Sequence, residues 1–143
     1  MTEVNRSVLV AFTPAQMFAL VDGVEDYPRF LPWCGGASVR RHDADRATAT
    51  IQINYRGIRQ SFTTENVLRV PEAIDMRLVE GPFSSLDGSW RFTGLGDRGC
   101  KVELKLHYEF SSRVLEKVVG PVFNHIADKL VDAFAKRAEQ VYG

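Results

Sequence analysis

The stretch Lys101-Val102-Glu103-Leu104-Lys105-Leu106-His107-Tyr108-Glu109-Phe110 alternates without a break. Val102, Leu104, Leu106, Tyr108 and Phe110 fall on one parity, and Lys101, Glu103, Lys105, His107 and Glu109 on the other. Successive side chains of an extended strand point to opposite faces, so these residues read as a strand with one face buried and one in water. Such a sheet needs a cover, and the tail supplies it. From Pro121 to Tyr142, Val122, Phe123, Ile126, Leu130, Ala133, Phe134, Ala138 and Val141 recur at three- and four-residue spacing. Asp128, Lys129, Asp132, Lys136 and Glu139 occupy the opposite side, the pattern of an amphipathic helix. Gly120-Pro121 either starts this helix or kinks one that begins near Arg113.

Upstream, period two recurs. Ala47, Ala49, Ile51, Ile53 and Tyr55 alternate with Thr48, Thr50, Gln52 and Asn54. After Arg56-Gly57, Ile58, Gln60, Phe62, Thr64, Asn66, Leu68 and Val70 share the inward parity, while Arg59, Ser61, Thr63, Glu65 and Arg69 take the other, broken by Val67. Ile74, Met76 and Leu78 follow, then Trp90 and Phe92. Turn signals at Pro71-Glu72, Glu80-Gly81-Pro82 and Gly94 to Gly99 imply hairpins between these neighbours. Five strands are thus expected between Ala47 and Phe110. At the other end, Glu3 to Phe12 alternates weakly and stops at Thr13-Pro14. Thr13 suits an N-cap and Pro14 a first helical position, which predicts a short helix to Val21, stopped by Gly23. A second helical segment, Val24 to Phe30, is interrupted by Pro28 and closes at Pro32-Trp33. The expectation is one α+β domain over residues 1–143. A curved antiparallel sheet wraps around a long C-terminal helix, with two short helices after the first strand.

Composition narrows the function. Lys plus Arg and Asp plus Glu are both 18, so bulk electrostatic coating of DNA is not the expectation. Cys34 and Cys100 sit in no metal-type spacing and read as reduced thiols of a cytoplasmic protein. The first residues show neither a basic region nor an apolar run, so no secretion signal is expected. No stretch approaches the ~18 apolar residues of a membrane span, leaving at most peripheral contact at an inner membrane face.

The segment Glu25-Asp26-Tyr27-Pro28-Arg29-Phe30-Leu31-Pro32-Trp33-Cys34 closely resembles the YPxFLPWC signature of the RatA-like and coenzyme-Q-binding START-type proteins, often labelled polyketide cyclase/dehydrase (SRPBCC). Gly81-Pro82-Phe83 with Leu86, Trp90-Arg91-Phe92, and Ala133-Phe134 with Arg137-Ala138 agree with it, and the match runs nearly end to end. The resemblance implies a helix-grip (START/Bet v 1-like) fold and two activities. Mitochondrial members resemble carriers of ubiquinone needed for respiration. Bacterial members resemble toxins, paired with a small antitoxin protein, that bind the large (50S) ribosomal subunit and hinder subunit joining. The cyclase label promises no cyclase activity.

Candidate site residues follow from both lines. Tyr27, Phe30, Leu31 and Trp33 either line the mouth of a cavity or plug one end of the sheet. Phe62, Met76, Phe83, Trp90, Phe92, Tyr108, Phe123 and Ile126 face the interior and complete the candidate apolar ligand site; Met76 adapts well to a bulky ring or isoprenoid. For ribosomal phosphate the candidates are Arg40, Arg41, Arg56, Arg59, Lys101 and Lys105, diluted by Glu65, Glu103 and Glu109. His42 and His107 read as exposed, and His125 flanks the helix stripe at a cavity edge. Cys34 lacks a neighbouring base, and no catalytic triad, HExxH or metal-spaced Cys/His set occurs. No cofactor is required. The leading expectation is a non-enzymatic protein holding ubiquinone or a related lipid between sheet and helix. The alternative is the ribosome-binding toxin, and an aromatase-like cyclase is third.

Overall fold

The computed structural model describes residues 2–143 and places seven strands in one antiparallel sheet. In chain order these are β1 (Thr2–Val10), α1 (Pro14–Asp22), a 3-10 helix (Val24–Arg29), β2 (Cys34–Arg41), β3 (Arg46–Tyr55), β4 (Ile58–Arg69), β5 (Ala73–Glu80), β6 (Phe83–Gly94), β7 (Cys100–Phe110), α2 (Arg113–Val118) and α3 (Gly120–Tyr142). The sheet order is β1-β7-β6-β5-β4-β3-β2. Each strand from β2 to β7 therefore pairs with its neighbour in sequence. The exception is β1, which crosses to β7 and pairs from Thr2 opposite Tyr108 to Val10 opposite Cys100. This closes the expected α+β helix-grip architecture around α3.

Two strand expectations change. The strand β2 was absent from the sequence reading, and β6 begins at Phe83, well before Trp90. Neither segment shows clean alternation, because β2 opens on Gly35-Gly36 and carries its polar residues on an edge. A Cβ on Gly36 would stand 2.8 Å from Oε1 of the Gln52 side chain, which would have to swing aside. A register shift between Cys34 and Gly36 breaks the period further. Val70, expected on the inward parity, lies past the end of β4 and is exposed.

Helix α1 starts where its cap chemistry places it. Thr13 Oγ1 accepts from the Gln16 backbone N–H, and Gln16 Oε1 accepts in return from the Thr13 N–H, a reciprocal capping box. Gly23 ends the helix one residue later than expected. At the other end of the chain both alternatives for Gly120-Pro121 are partly realised. Ser112 caps a separate short α2, the chain turns at Val119, and Gly120-Pro121 opens α3.

The buried ridge of α3 is Phe123, Ile126, Ala127, Val131, Phe134 and Ala138. Ala127 and Val131 were not in the expected stripe, whereas Val141 is 47% exposed. Leu104, Leu106 and Tyr108 face this ridge and are buried with it. Phe134 is fully buried, with the rings of Tyr27, Phe30 and Trp90 packed edge-on at 5.3, 5.5 and 5.4 Å. A second aromatic group joins Phe62, Phe83, Tyr108 and Phe110 to Phe123 at the start of the helix. Arg6 on β1 bonds Asp128 on α3, and the Tyr142 hydroxyl donates to the Gln16 carbonyl at 3.0 Å.

Phe134→Ala is expected to cost about 3–5 kcal/mol, because it empties the point where motif, sheet and helix meet. Thr13→Ala, which removes only the cap of α1, is expected to cost about 1 kcal/mol. Urea denaturation of both variants checks the ranking, and equal losses would contradict the central role given to Phe134.

Candidate functional site

The space between the concave face and α3 is nearly filled. What remains is a cavity of about 80 Å³, walled by apolar side chains of β3, β4, β6, β7 and α3. Of the candidate ligand residues, Tyr27, Trp33, Phe62, Met76, Trp90, Phe123 and Ile126 line it. The other five lie elsewhere. Phe30 faces an outer groove beside α3, Leu31 lies under the motif loop, Phe92 packs against Phe18, and Phe83 and Tyr108 belong to the aromatic group at the helix start. Leu86, Leu104, Leu106, Ala127 and Leu130 also line the cavity. Leu104, Leu106 and Leu130 were legible as inward from their spacing, but spacing does not say which inward residue borders a void.

Two polar side chains reach the wall. Thr64 Oγ1 donates to Asn66 Oδ1 at 2.8 Å, and both residues are buried. The Asn66 amide nitrogen, with its two N–H donors, makes no side-chain hydrogen bond among the described residues, in an otherwise greasy wall. Asn66, Met76, Gly88 and Leu106 form one row across β4, β5, β6 and β7. A Cβ on Gly88 would fall 2.5 Å from Leu106 Cδ2 and 2.7 Å from the Lys105 carbonyl oxygen, so this row closes up only around glycine.

The titratable groups nearby are held neutral. The Tyr27 hydroxyl donates to the Val21 carbonyl, and burial, with the Asp22 charge adding to it, holds its pKa far above the ordinary tyrosine value. Burial pushes Tyr108, whose hydroxyl donates to Asn124 Oδ1, up to about 12. Cys34 and Cys100 are both free and buried, and burial raises both thiols. Cys34 Sγ donates to the Gly36 carbonyl at 3.3 Å, a smaller effect in the opposite direction. Among the described residues no group of three or more His, Cys, Asp or Glu is arranged to hold a metal.

The cavity meets the surface at Trp33, Ile126 and Leu130. These same side chains form the inner wall of an outer groove of about 170 Å³ that also contains Tyr55, His125 and Lys129. A further groove of about 360 Å³ continues along α3 past Pro32 and Ala133 to Arg29, Phe30, Lys136 and Arg137. Arg137 stacks over the Phe30 ring at 5.0 Å, and Arg56 over Tyr55 at the same distance. Tyr55, Lys129, Lys136 and Arg29 are not among the candidate ligand or phosphate residues of the sequence. Their common edge is created by the motif loop folding against α3.

The basic candidates do not converge. Arg41 was expected on the wet face but pairs with Ala47 on the inward parity. There its guanidinium bonds Asp22 Oδ1 at 2.9 Å and the Asp22 carbonyl at 3.1 Å, tying β2 to α1. Arg56 sits in the β3–β4 turn. Arg40 and Lys105 lie on different rows of the convex face, and Lys101 is 3.8 Å from Glu103. The convex groove around Lys105, about 520 Å³, sets Glu65, Asp75 and Asp87 against Arg77 and Arg91.

A curved sheet gripping one long helix, with a greasy interior and no catalytic constellation among the described residues, defines the helix-grip class. The chain belongs to the polyketide cyclase/dehydrase and lipid transport family, which it matches over residues 10–135. It is 46% identical, over all of this chain and 99% of the other, to a Vibrio cholerae protein named ribosome association toxin RatA. It is also 25% identical to the mitochondrial coenzyme Q-binding protein COQ10 homolog B of Xenopus laevis, covering 99% of this chain and 59% of that one. A Thermus thermophilus crystal structure shares the fold with a TM-score of 0.84, 19% identity, and coverage of 99% and 100%. Among the described residues no helix is long and apolar enough to cross a membrane.

Because both thiols are buried and raised in pKa, a disulfide reagent at neutral pH is expected to label them only as fast as the protein opens. Labelling should reach completion at once in denaturant. Immediate reaction of the folded protein would contradict the placement of Cys34 and Cys100. Gly88→Ala is expected to cost about 1–3 kcal/mol through the clash with Leu106 and the Lys105 carbonyl, read by thermal melting.

Proposed function

We propose that the protein acts by associating with the ribosome through its surface, as a relative of the RatA toxins, and catalyses no reaction. The observation that carries this reading is the 46% identity along the whole chain to a protein of that name. The interior supports it: about 80 Å³ holds a few waters, whereas small-molecule sites usually span ~300–1,000 Å³. Tyr27 and Tyr108 are neutral and already bonded at physiological pH, and Thr64 and Asn66 do not titrate, so the interior offers no acid–base pair for a cyclase.

The test is sedimentation of the purified protein with separated ribosomal subunits. It is expected to travel with the large subunit, and to leave it as salt rises. Sedimentation at the top of the gradient at every salt concentration would remove the reading.

A second reading, ubiquinone or a related lipid between sheet and helix, is favoured by one feature: the free Asn66 donor in an apolar wall, suited to a quinone carbonyl. It requires the interior to enlarge several-fold, with Trp33 and the Ile126–Leu130 side of α3 moving outward. Under this reading added ubiquinone protects the protein against thermal unfolding, and Asn66→Leu weakens that protection while leaving the unliganded protein folded. Absence of any shift in melting temperature would count against it.

A further inference from the structure

The two outer grooves at the motif end share Pro32 and Ala133 and so form one continuous strip along α3. Its charged side chains are of one sign. Arg29, Lys136 and Arg137 line one groove and Lys129 the other, and no Asp or Glu lines either. In a chain with equal numbers of acids and bases this is a local excess, and it contrasts with the mixed convex groove. The nearest acids only partly offset it. Asp26 is 3.5 Å from Arg29, Asp128 is 3.8 Å from Lys129 but bonds Arg6, and Asp132 is exposed on the helix between Lys129 and Lys136.

Aromatic faces are interleaved with these cations. Phe30 lies beneath Arg137, and half-buried Trp33 stands at the junction. At the far end the Tyr55 and His125 rings lie parallel within 2° at 6.4 Å, with Arg56 on Tyr55. Alternating cations and flat rings along a groove suit unpaired nucleotides, whose phosphates take the cations and whose bases stack on the rings. A membrane surface fits less well. Docking on lipid buries protruding apolar side chains, and none of the exposed large apolar residues lines the strip.

We propose that the strip from Arg29 and Phe30 along Lys136, Arg137 and Lys129 to Trp33 binds single-stranded or looped RNA. It is thereby the face this protein turns to ribosomal RNA, a step that rests on the ribosome reading above. The unpaired strand runs along α3, with its phosphates on Lys129, Lys136 and Arg137.

The test uses the triple variant Lys129→Gln/Lys136→Gln/Arg137→Gln, its folding checked by thermal melting. Two readouts are needed: anisotropy of a labelled oligouridine across a salt series, and sedimentation with large ribosomal subunits. The wild type is expected to bind both. In the triple variant oligouridine binding should weaken by about tenfold or more, with the slope of log K against log salt falling by about two, and ribosome binding should fall with it. Arg29→Gln, at a side chain that is 75% exposed and tolerant of change, should move both readouts the same way to a smaller extent. Unchanged oligouridine and ribosome binding by the triple variant overturns the strip and leaves the ribosome reading standing. Loss of oligouridine binding in the variant, with a wild type that never sediments with subunits, supports the strip and removes the ribosome reading. A wild type that floats with phosphatidylglycerol-rich vesicles and ignores oligouridine overturns the proposal in favour of a lipid surface.

Discussion

The structure depends on one contact: the concave face of a seven-stranded sheet closing on the buried ridge of α3. Neither half is stable alone in water. The sheet would expose the inward row of β7, and the helix would expose Phe123, Ile126, Val131 and Phe134. Burying such side chains is worth about 1.5–3 kcal/mol each, so their mutual cover is the main favourable term. Phe134 concentrates this contact, because it touches the motif loop through Tyr27 and Phe30 and the sheet through Trp90. The Arg6 to Asp128 pair and the Tyr142 to Gln16 hydrogen bond then fix where along the sheet the helix lies. Arg6 also holds the Asp128 carboxyl below its usual pKa, so the stabilisation this pair gives is present at neutral pH and is lost as acid protonates Asp128.

How tightly that contact closes decides what the domain can do. Here the large rings of Trp90, Phe62, Phe123 and Phe134 take up most of the space between sheet and helix. The remaining void is bounded by Trp33 on the outside and by the Met76–Gly88 row below. A filled interior directs attention to the outside. There the motif loop, rigidified by Pro28 and Pro32, presses Phe30 and Trp33 against α3 and gathers the basic side chains of both into one strip. The residues that signal the family thus serve two ends: Tyr27 and Leu31 point into the core, while Arg29, Phe30 and Trp33 shape the surface.

Much of this was legible in advance, and the misses have physical causes. Strict alternation in β7 and β3, and the looser alternation in β4, gave the inward faces, because a strand with one wet side leaves a period-two signature. The capping residues of α1 fixed its start. Strand β2 escaped because an edge strand opening on two glycines, with a register shift, has neither side chains to alternate nor a constant period. The helix stripe was right in direction but displaced in detail: residues at three- and four-residue spacing cover a wide arc, and only tertiary packing decides that Ala127 and Val131 are buried and Val141 is not. Arg41 took the other face because no alternation is legible across β2 and its charge alone suggested water, when here its guanidinium bonds Asp22 of α1.

Sequence by itself determined the family, the long helix and the strands that alternate cleanly, since each is written in local spacing or in a contiguous motif. It also shows no HExxH and no metal-type Cys/His spacing, which are local patterns of residue type. Tertiary structure alone decided the volume left inside, the burial of Tyr27 and both cysteines, and the meeting of Arg29 with Lys136 and Arg137. Those three properties depend on distances between residues far apart in the chain. A void is the difference between two nearly equal volumes, and a patch is a sum over distant side chains; neither leaves a trace in the order of neighbouring letters.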